Sequence, residues 1–140
     1  HIREMNFKTE PEPSTMQIRQ LYLTPDEWLI AAAQPYAGET LQPVSESDLS
    51  GNYERICLMP SVPQGIMCAH PFRLMENGRM ECCSIVGTWE KTGSYTLCLR
   101  YGSITENLIV SPAWDHELDR PTLMLSGLSD KGLCTWYKKV

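Results

Sequence analysis

Apolar and polar residues alternate with a period of two along much of the chain, and clusters of Gly, Pro, Asn, Asp and Ser interrupt this alternation every few residues. Such alternation predicts strands that bury one face, and the clusters predict where those strands end. Helical periodicity is almost absent; only Thr24-Pro25 offers a helix start, with Thr24 as cap and Pro25 at the first helical position. The pattern predicts an all-β fold: a single antiparallel β-barrel, or a sandwich-like variant, of about eight to ten short strands.

Hairpins are predicted wherever a turn cluster separates two alternating segments. Asn77-Gly78 is the strongest signal, because both residues tolerate positive φ, and it joins strands over 72–75 and 79–86. A first hairpin is predicted over 16–32, with a turn at 24–27 and a buried second strand over 28–31. Further predictions are a strand over 65–68, a long polar loop around 115–121 and a final hairpin joining 122–125 to 133–137.

The composition changes near residue 16. Residues 1–15 carry Lys8, Glu10 and Glu12 with Pro11 and Pro13, which neither bury a face nor support a regular ladder. We predict a linker or arm over 1–15 and one barrel domain over 16–140. A chain of 140 residues is long enough for one domain with a sizeable core.

The aromatic residues divide into two groups by position. Tyr53, Trp89 and Trp136 lie on predicted strands next to turns, and they are predicted to be core anchors, with Trp89 and Trp136 inside the barrel. A second group lies in or beside predicted turns and is predicted to contact carbohydrate or a neighbouring domain. Its members are Trp28, Tyr36 and Trp114.

Charge and cysteine content restrict the partners. A net charge of -5 and a pI near 5.1 argue against nucleic acid, which requires clustered Lys and Arg. No apolar run approaches the roughly 18 residues of a membrane-spanning helix, and residues 1–5 lack the apolar core of a signal peptide. The six cysteines show no zinc-binding spacing. Buried small hydrophobes, one or two disulfides and a reactive thiol all remain open as interpretations.

Catalytic chemistry has few candidates in this sequence. The acids considered are Glu90, Asp115, Glu117 and Asp119, yet each lies at a predicted turn or strand end where a solvated carboxylate is expected. Asp115-His116-Glu117 carries metal-ligating types, but adjacent ligands in one loop seldom close a site alone. We predict no catalytic residue, no metal site and no cofactor.

The order of these elements resembles the small C-terminal β-barrel domain of family 43 glycoside hydrolases of the endo-arabinanase type. The resemblance covers 16–139, and this chain departs from the family pattern in its six cysteines, in a longer loop over 60–70 and at Tyr137, where the family tends to have glycine. The matching stretches, in chain order, are Ile18-Arg19-Gln20-Leu21-Tyr22 with Trp28, Pro35-Tyr36-Ala37-Gly38, Leu49-Ser50-Gly51-Asn52-Tyr53, Asn77-Gly78 leading to Gly87-Thr88-Trp89, and Leu125-Ser126 leading to Gly132 and Trp136.

The resemblance implies a non-catalytic accessory domain that packs on the five-bladed catalytic propeller of the same arabinan-degrading enzyme and helps to hold polymer. It also implies an extracellular or periplasmic location, and it places the family's catalytic carboxylates in the propeller, outside this chain. Two alternatives remain: a stand-alone lipocalin-like barrel binding a small ligand, and an inhibitor or adhesin module that presents a loop such as the one over 114–119. A lipocalin-like barrel needs an internal cavity, whereas an accessory barrel is expected to be filled by Leu, Met and Trp side chains.

Overall fold

The structure, a computed structural model, describes residues 2–3, 14–58 and 68–140. In these ranges the chain forms, in order, β1 (Ile2–Arg3), β2 (Ser14–Thr15), β3 (Leu21–Leu23), β4 (Leu29–Ala31), α1 (Glu46–Leu49), β5 (Gly51–Leu58), β6 (His70–Leu74), β7 (Arg79–Cys82), β8 (Ile85–Lys91), β9 (Thr96–Tyr101), β10 (Ile104–Asp115), β11 (Arg120–Ser129) and β12 (Cys134–Lys139). The predicted arm over 1–15 and the predicted strand over 65–68 lie mostly outside the described residues.

Eight strands form a closed antiparallel barrel in the order β10-β11-β12-β5-β6-β7-β8-β9, in which β9 pairs with β10 to complete the ring. The hairpin β3-β4 and the two-residue ladder β1-β2 are separate small sheets. The predicted all-β antiparallel barrel is confirmed. Closure leaves no unpaired strand edge in the barrel.

The barrel interior is filled by side chains. Trp89 is 6% exposed and Tyr53 is 1% exposed, and the Tyr53 hydroxyl donates to the Leu49 carbonyl oxygen at 2.6 Å, which ties α1 to the barrel. A Cβ at Gly87 would lie 2.3 Å from the Arg100 carbonyl oxygen, so glycine permits the close approach of β8 to β9. Other core members are Leu74, Met80, Leu97, Leu99, Leu108, Val110, Leu125 and Tyr137.

The Asn77-Gly78 hairpin forms as predicted, with Gly78 at φ 75° between β6 and β7. The predicted strand over 79–86 is wrong in one respect, because the chain turns at Cys83-Ser84 and begins β8 at Ile85. Cys83 adopts φ 55°, a left-handed conformation that alternation alone does not reveal for a cysteine.

The long polar loop predicted around 115–121 is a tight turn over 116–119, because β10 and β11 extend further than their apolar pattern suggests. The cause is local. The Asp115 carboxylate accepts hydrogen bonds from the backbone N–H groups of Glu117 at 3.0 Å and Leu118 at 3.3 Å, which folds the chain back.

The short helix lies at 46–49 rather than at Thr24-Pro25. Ser45 caps it by accepting from the Asp48 N–H at 3.2 Å. At the predicted site, the Thr24 hydroxyl accepts from the Trp28 N–H at 2.9 Å, and this bond closes the β3-β4 hairpin loop instead of starting a helix. The second strand of that hairpin is only half buried, since Ile30 is 5% exposed and Leu29 is 64% exposed.

Candidate docking surface and barrel interior

A buried polar cluster occupies one part of the barrel interior. The Glu106 side chain, 1% exposed, pairs with the Arg55 guanidinium at 3.1 Å. Its carboxylate also accepts hydrogen bonds from Thr135 at 2.9 Å, from Tyr137 at 2.5 Å and from the Tyr101 hydroxyl. Arg55 donates in turn to the hydroxyls of Tyr137 at 3.0 Å and Tyr101 at 3.1 Å. Each of the two Glu106 carboxylate oxygens therefore has two hydrogen-bond donors.

The environment of this cluster keeps its two buried tyrosines protonated. Burial raises the pKa of Tyr137 well above its ordinary value, and the neighbouring Glu106 carboxylate raises it further. Burial and the hydrogen bond to Glu106 raise the pKa of Tyr101 in the same direction. Both tyrosines therefore stay neutral and donate to the carboxylate. The cluster occupies space that a lipocalin-like barrel would need for a ligand.

Sequence reasoning missed this cluster. Glu106 lies between Ile104 and Leu108 at a position that alternation assigns to the inner face, so a charged residue at an inward position was the available signal. Its partner Arg55 is far away in sequence, and only the closed barrel brings the two together.

The β3-β4 hairpin packs on the outer wall of the barrel through one of its two faces. Tyr22 and Ile30 form a small buried cluster with Ile109 of β10, and Leu128 of β11 packs against it. The Trp136 indole N–H donates to the Ala31 carbonyl oxygen at 3.3 Å. The hairpin is thus fixed to β10, β11 and β12.

The opposite face of the same hairpin is apolar and exposed. Leu23 lies opposite Leu29 in the register, and Leu21 lies opposite Ala31. Leu21 and Leu23 are each 62% exposed, and Leu29 is 64% exposed. Trp28, in the adjoining loop, is 62% exposed. We call Leu21, Leu23, Trp28 and Leu29 the hairpin surface.

Exposed apolar residues are concentrated in this part of the chain. Eight of the thirteen exposed large hydrophobic residues among the described positions fall between 16 and 41. An antiparallel sheet that faces water on one side normally shows polar residues there. A contiguous exposed apolar patch marks an interaction site. The hairpin therefore carries apolar residues on both faces, of which only one contacts the barrel.

The predicted aromatic residues are found in four environments. Tyr53 and Trp89 lie in the core, and Trp28 and Tyr36 are exposed, Tyr36 to 45%. Trp114 is half-buried at the end of β10, where its indole N–H donates to Asp119 at 3.2 Å. Trp136 differs from the expectation.

The structure places Trp136 on the outer face of β12 rather than inside the barrel. Tyr137, its neighbour, is 0% exposed and belongs to the core, so alternation turns Trp136 outward. There the hairpin partly covers it, and the Arg19 guanidinium lies 5.9 Å from its ring centroid. Apolar residues occupy both odd and even positions of this strand, so alternation in the sequence did not determine whether Trp136 points into or out of the barrel.

A cluster of charged residues lies on the outer wall beside the 116–119 turn. The Lys138 ammonium contacts Glu117 at 2.7 Å, Asp115 at 3.3 Å and Glu54 at 3.5 Å. Burial alone would raise the pKa of Asp115, but the turn N–H groups and Lys138 lower it below its ordinary value. Burial alone would lower the pKa of Lys138, but Glu117 and Asp115 raise it. The three carboxylates thus hold one largely buried cation.

The remaining candidates for chemistry have structural roles. Glu90 forms an exposed ion pair with Arg100 at 2.6 Å. Within the described residues, no group of three or more His, Cys, Asp and Glu side chains could hold a metal ion. All six cysteines are free thiols, and burial raises the pKa of Cys82 and Cys98. In the same ranges, none of the helices is both long and apolar enough to span a membrane.

The described residues thus form a filled, closed antiparallel barrel that carries an apolar hairpin on its outer wall. The chain belongs to the GH43_C family, a C-terminal lipocalin-like domain, whose model matches residues 33–137. The resemblance seen in the sequence is thereby confirmed, and a stand-alone ligand-binding lipocalin is not favoured.

Two relatives are named as extracellular arabinanases. The chain is 28% identical over 138 residues to extracellular endo-α-(1→5)-L-arabinanase 2 of Bacillus subtilis strain 168. This alignment covers 99% of this chain and 29% of that protein. It is 24% identical over 137 residues to the extracellular endo-α-(1→5)-L-arabinanase of Thermotoga petrophila. That alignment covers 96% of this chain and 29% of the Thermotoga protein. The chain thus spans less than a third of the length of these relatives.

Solved structures show the same fold. A family 43 glycoside hydrolase from Bacillus licheniformis superposes with a TM-score of 0.82 at 28% identity, over 89% of this chain and 28% of that one. The endo-1,5-α-L-arabinanase of Thermotoga petrophila superposes with a TM-score of 0.81 at 21% identity, again over 89% and 28%. The latter likeness concerns the fold alone.

Proposed function

We propose that this chain is the non-catalytic C-terminal barrel of a secreted, arabinan-degrading glycoside hydrolase, and that it docks on the catalytic propeller of the same enzyme through the hairpin surface. The observation that carries the proposal is a hairpin with apolar residues on both faces, of which only one contacts the barrel. Burying the second face contributes about 25 cal/mol per Å² of apolar area before entropic costs.

The domain division supports this role. We assign residues 1–15 to the linker or arm and 16–140 to the barrel, so that the hairpin surface lies close in sequence to whatever precedes the barrel. Interfaces concentrate binding energy in a few large anchors, and Trp28 is the exposed aromatic residue of the hairpin surface. Tyr36 and Trp114 are further candidate contacts, to the propeller or to polymer.

The decisive experiment replaces two cross-strand partners by opposite charges. In the double variant Leu23→Lys, Leu29→Glu the new side chains face each other across the hairpin, so the hairpin itself is retained. We expect the separately expressed barrel to unfold at an unchanged denaturant concentration, while its association with the catalytic region, measured by calorimetry, is lost.

A matched control uses exposed apolar residues elsewhere on the barrel. Ile85 and Val86 of β8 are 48% and 57% exposed, and the double variant Ile85→Glu, Val86→Lys removes a similar amount of apolar surface. Association is expected to survive in this control. If the unmodified domains show no association at micromolar concentration, or if both double variants bind equally well, the docking proposal fails.

A further inference from the structure

A cleft lies beside the hairpin, where three elements meet. The segment after β4, the outer wall formed by β5 and β12, and the 116–119 turn enclose a cleft of about 360 Å³. That volume is within the range of small-ligand sites. Its lining residues include Gln34, Glu54, Ile56, Glu117, Trp136 and Lys138.

The lining combines an apolar part with hydrogen-bonding groups. Trp136 and Ile56 lie opposite each other on β12 and β5 and supply the apolar surface. Glu54 and Glu117 supply acceptors and Gln34 supplies both donors and acceptors, whereas the Lys138 ammonium is already engaged by carboxylates. Because the Trp136 indole N–H is already bonded to Ala31, its ring contributes only apolar contact.

The charges of the cleft exclude several ligand classes. An anionic ligand would meet the carboxylates of Glu54, Glu117 and nearby Asp115 against a single ammonium group. A cationic ligand would compete with Lys138, which already contacts all three carboxylates. A purely apolar ligand would desolvate these charged groups without pairing them, which is unfavourable.

A neutral ligand with many hydroxyl groups satisfies all of these conditions. Its hydroxyls both donate and accept, and the C–H face of a sugar ring can lie on Trp136. We propose that this cleft binds one or two residues of a neutral oligosaccharide. The inference that the ligand is a neutral oligosaccharide rests on the lining residues of the cleft. Only the choice of an arabinose-based oligosaccharide rests on the proposed function.

The test is an NMR titration of the 140-residue chain with linear arabino-, xylo- and cello-oligosaccharides. The four tryptophans give separate indole N–H signals, and Trp136→Phe assigns the relevant one. We expect a saturable shift of the Trp136 signal with at least one oligosaccharide, while the buried Trp89 signal stays constant. A structural role of the cleft would produce no such shift.

Variants link the shift to the cleft. Removing two hydrogen-bonding groups in Gln34→Ala, Glu54→Ala is expected to weaken binding about tenfold or more. Glu90→Ala, an exposed carboxylate elsewhere on the barrel, is expected to leave it unchanged. The inference is overturned if none of the oligosaccharides shifts Trp136, or if the double variant binds as well as the unmodified chain. A shift with xylo- or cello-oligosaccharide alone supports the cleft and contradicts the arabinan assignment.

Discussion

The most consequential single residue is Glu106, a carboxylate that is almost inaccessible to solvent inside a barrel of mostly apolar residues. Removing one member of a buried ion pair leaves the other charge uncompensated, which typically destabilises by about 3 to 5 kcal/mol. We expect Glu106→Gln to lower the free energy of unfolding by that amount, because Arg55 remains largely buried without its partner.

Chemical denaturation measures this loss, and Glu90→Gln is its control. Glu90 and Arg100 are both about half exposed, so their pair is screened by water and its removal is expected to change stability little. Equal losses in the two variants would contradict the assignment of Glu106 to a structural ion pair.

Asp115 and Lys138 make stability depend on pH at both extremes. The folded state lowers the pKa of Asp115 from 3.8, so its contribution is complete above that value and is lost as the pH falls through the lowered pKa. The folded state raises the pKa of Lys138 from 10.5, so its contribution is complete below that value and is lost as the pH rises through the raised pKa.

We therefore expect Asp115→Asn to be less stable than the unmodified chain at neutral pH, with the difference shrinking on acidification below 3.8. Denaturation midpoints measured across this range provide the comparison. A constant difference down to the lowest pH at which the chain stays folded would show that Asp115 acts through packing alone.

At the scale of elements, Trp89 connects β8 to the β6-β7 loop. Its indole N–H donates to the Met75 carbonyl oxygen at 2.8 Å, and its backbone N–H donates to the Gly78 carbonyl oxygen at 2.8 Å. Trp89→Ala is expected to cost about 3 to 5 kcal/mol of unfolding free energy, as for other buried aromatic residues.

The matched comparison is Trp28→Ala, the same substitution at an exposed indole. It is expected to change stability by less than about 0.5 kcal/mol, as is usual for surface positions. If the Trp89 variant unfolds at an unchanged temperature, Trp89 does not contribute to the core. A large loss in the Trp28 variant would mean that the hairpin surface stabilises the barrel itself.

For the whole molecule, we expect the isolated 140 residues to hydrolyse neither arabinan nor nitrophenyl arabinoside. The acids considered as catalysts serve the turn, the Lys138 cluster or an exposed ion pair, and the two carboxylates that line one cleft, Glu54 and Glu117, are both held by Lys138. Release of reducing ends is the measurement. Turnover that survives repurification and is abolished by one Asp or Glu substitution in this chain would contradict a non-catalytic role.

The sequence by itself determined the features that depend on neighbouring residues. Alternation and turn chemistry were sufficient for the all-β class and for the Asn77-Gly78 hairpin, because a strand period and a positive-φ turn are local properties. The motif order was sufficient for the family. Burial of Tyr53 and Trp89, and exposure of Trp28 and Tyr36, agree with their positions on strands and beside turns.

Tertiary structure decided the features that depend on distant residues. The outward direction of Trp136 follows from which face of β12 closes the barrel, and the Arg55–Glu106 pair exists only because β5 and β10 share one interior. The hairpin surface likewise becomes visible only when Tyr22 and Ile30 are seen to occupy the inner face. An apolar strand residue carries no local mark of whether the barrel, another domain or water covers it, because burial is a property of the assembled fold.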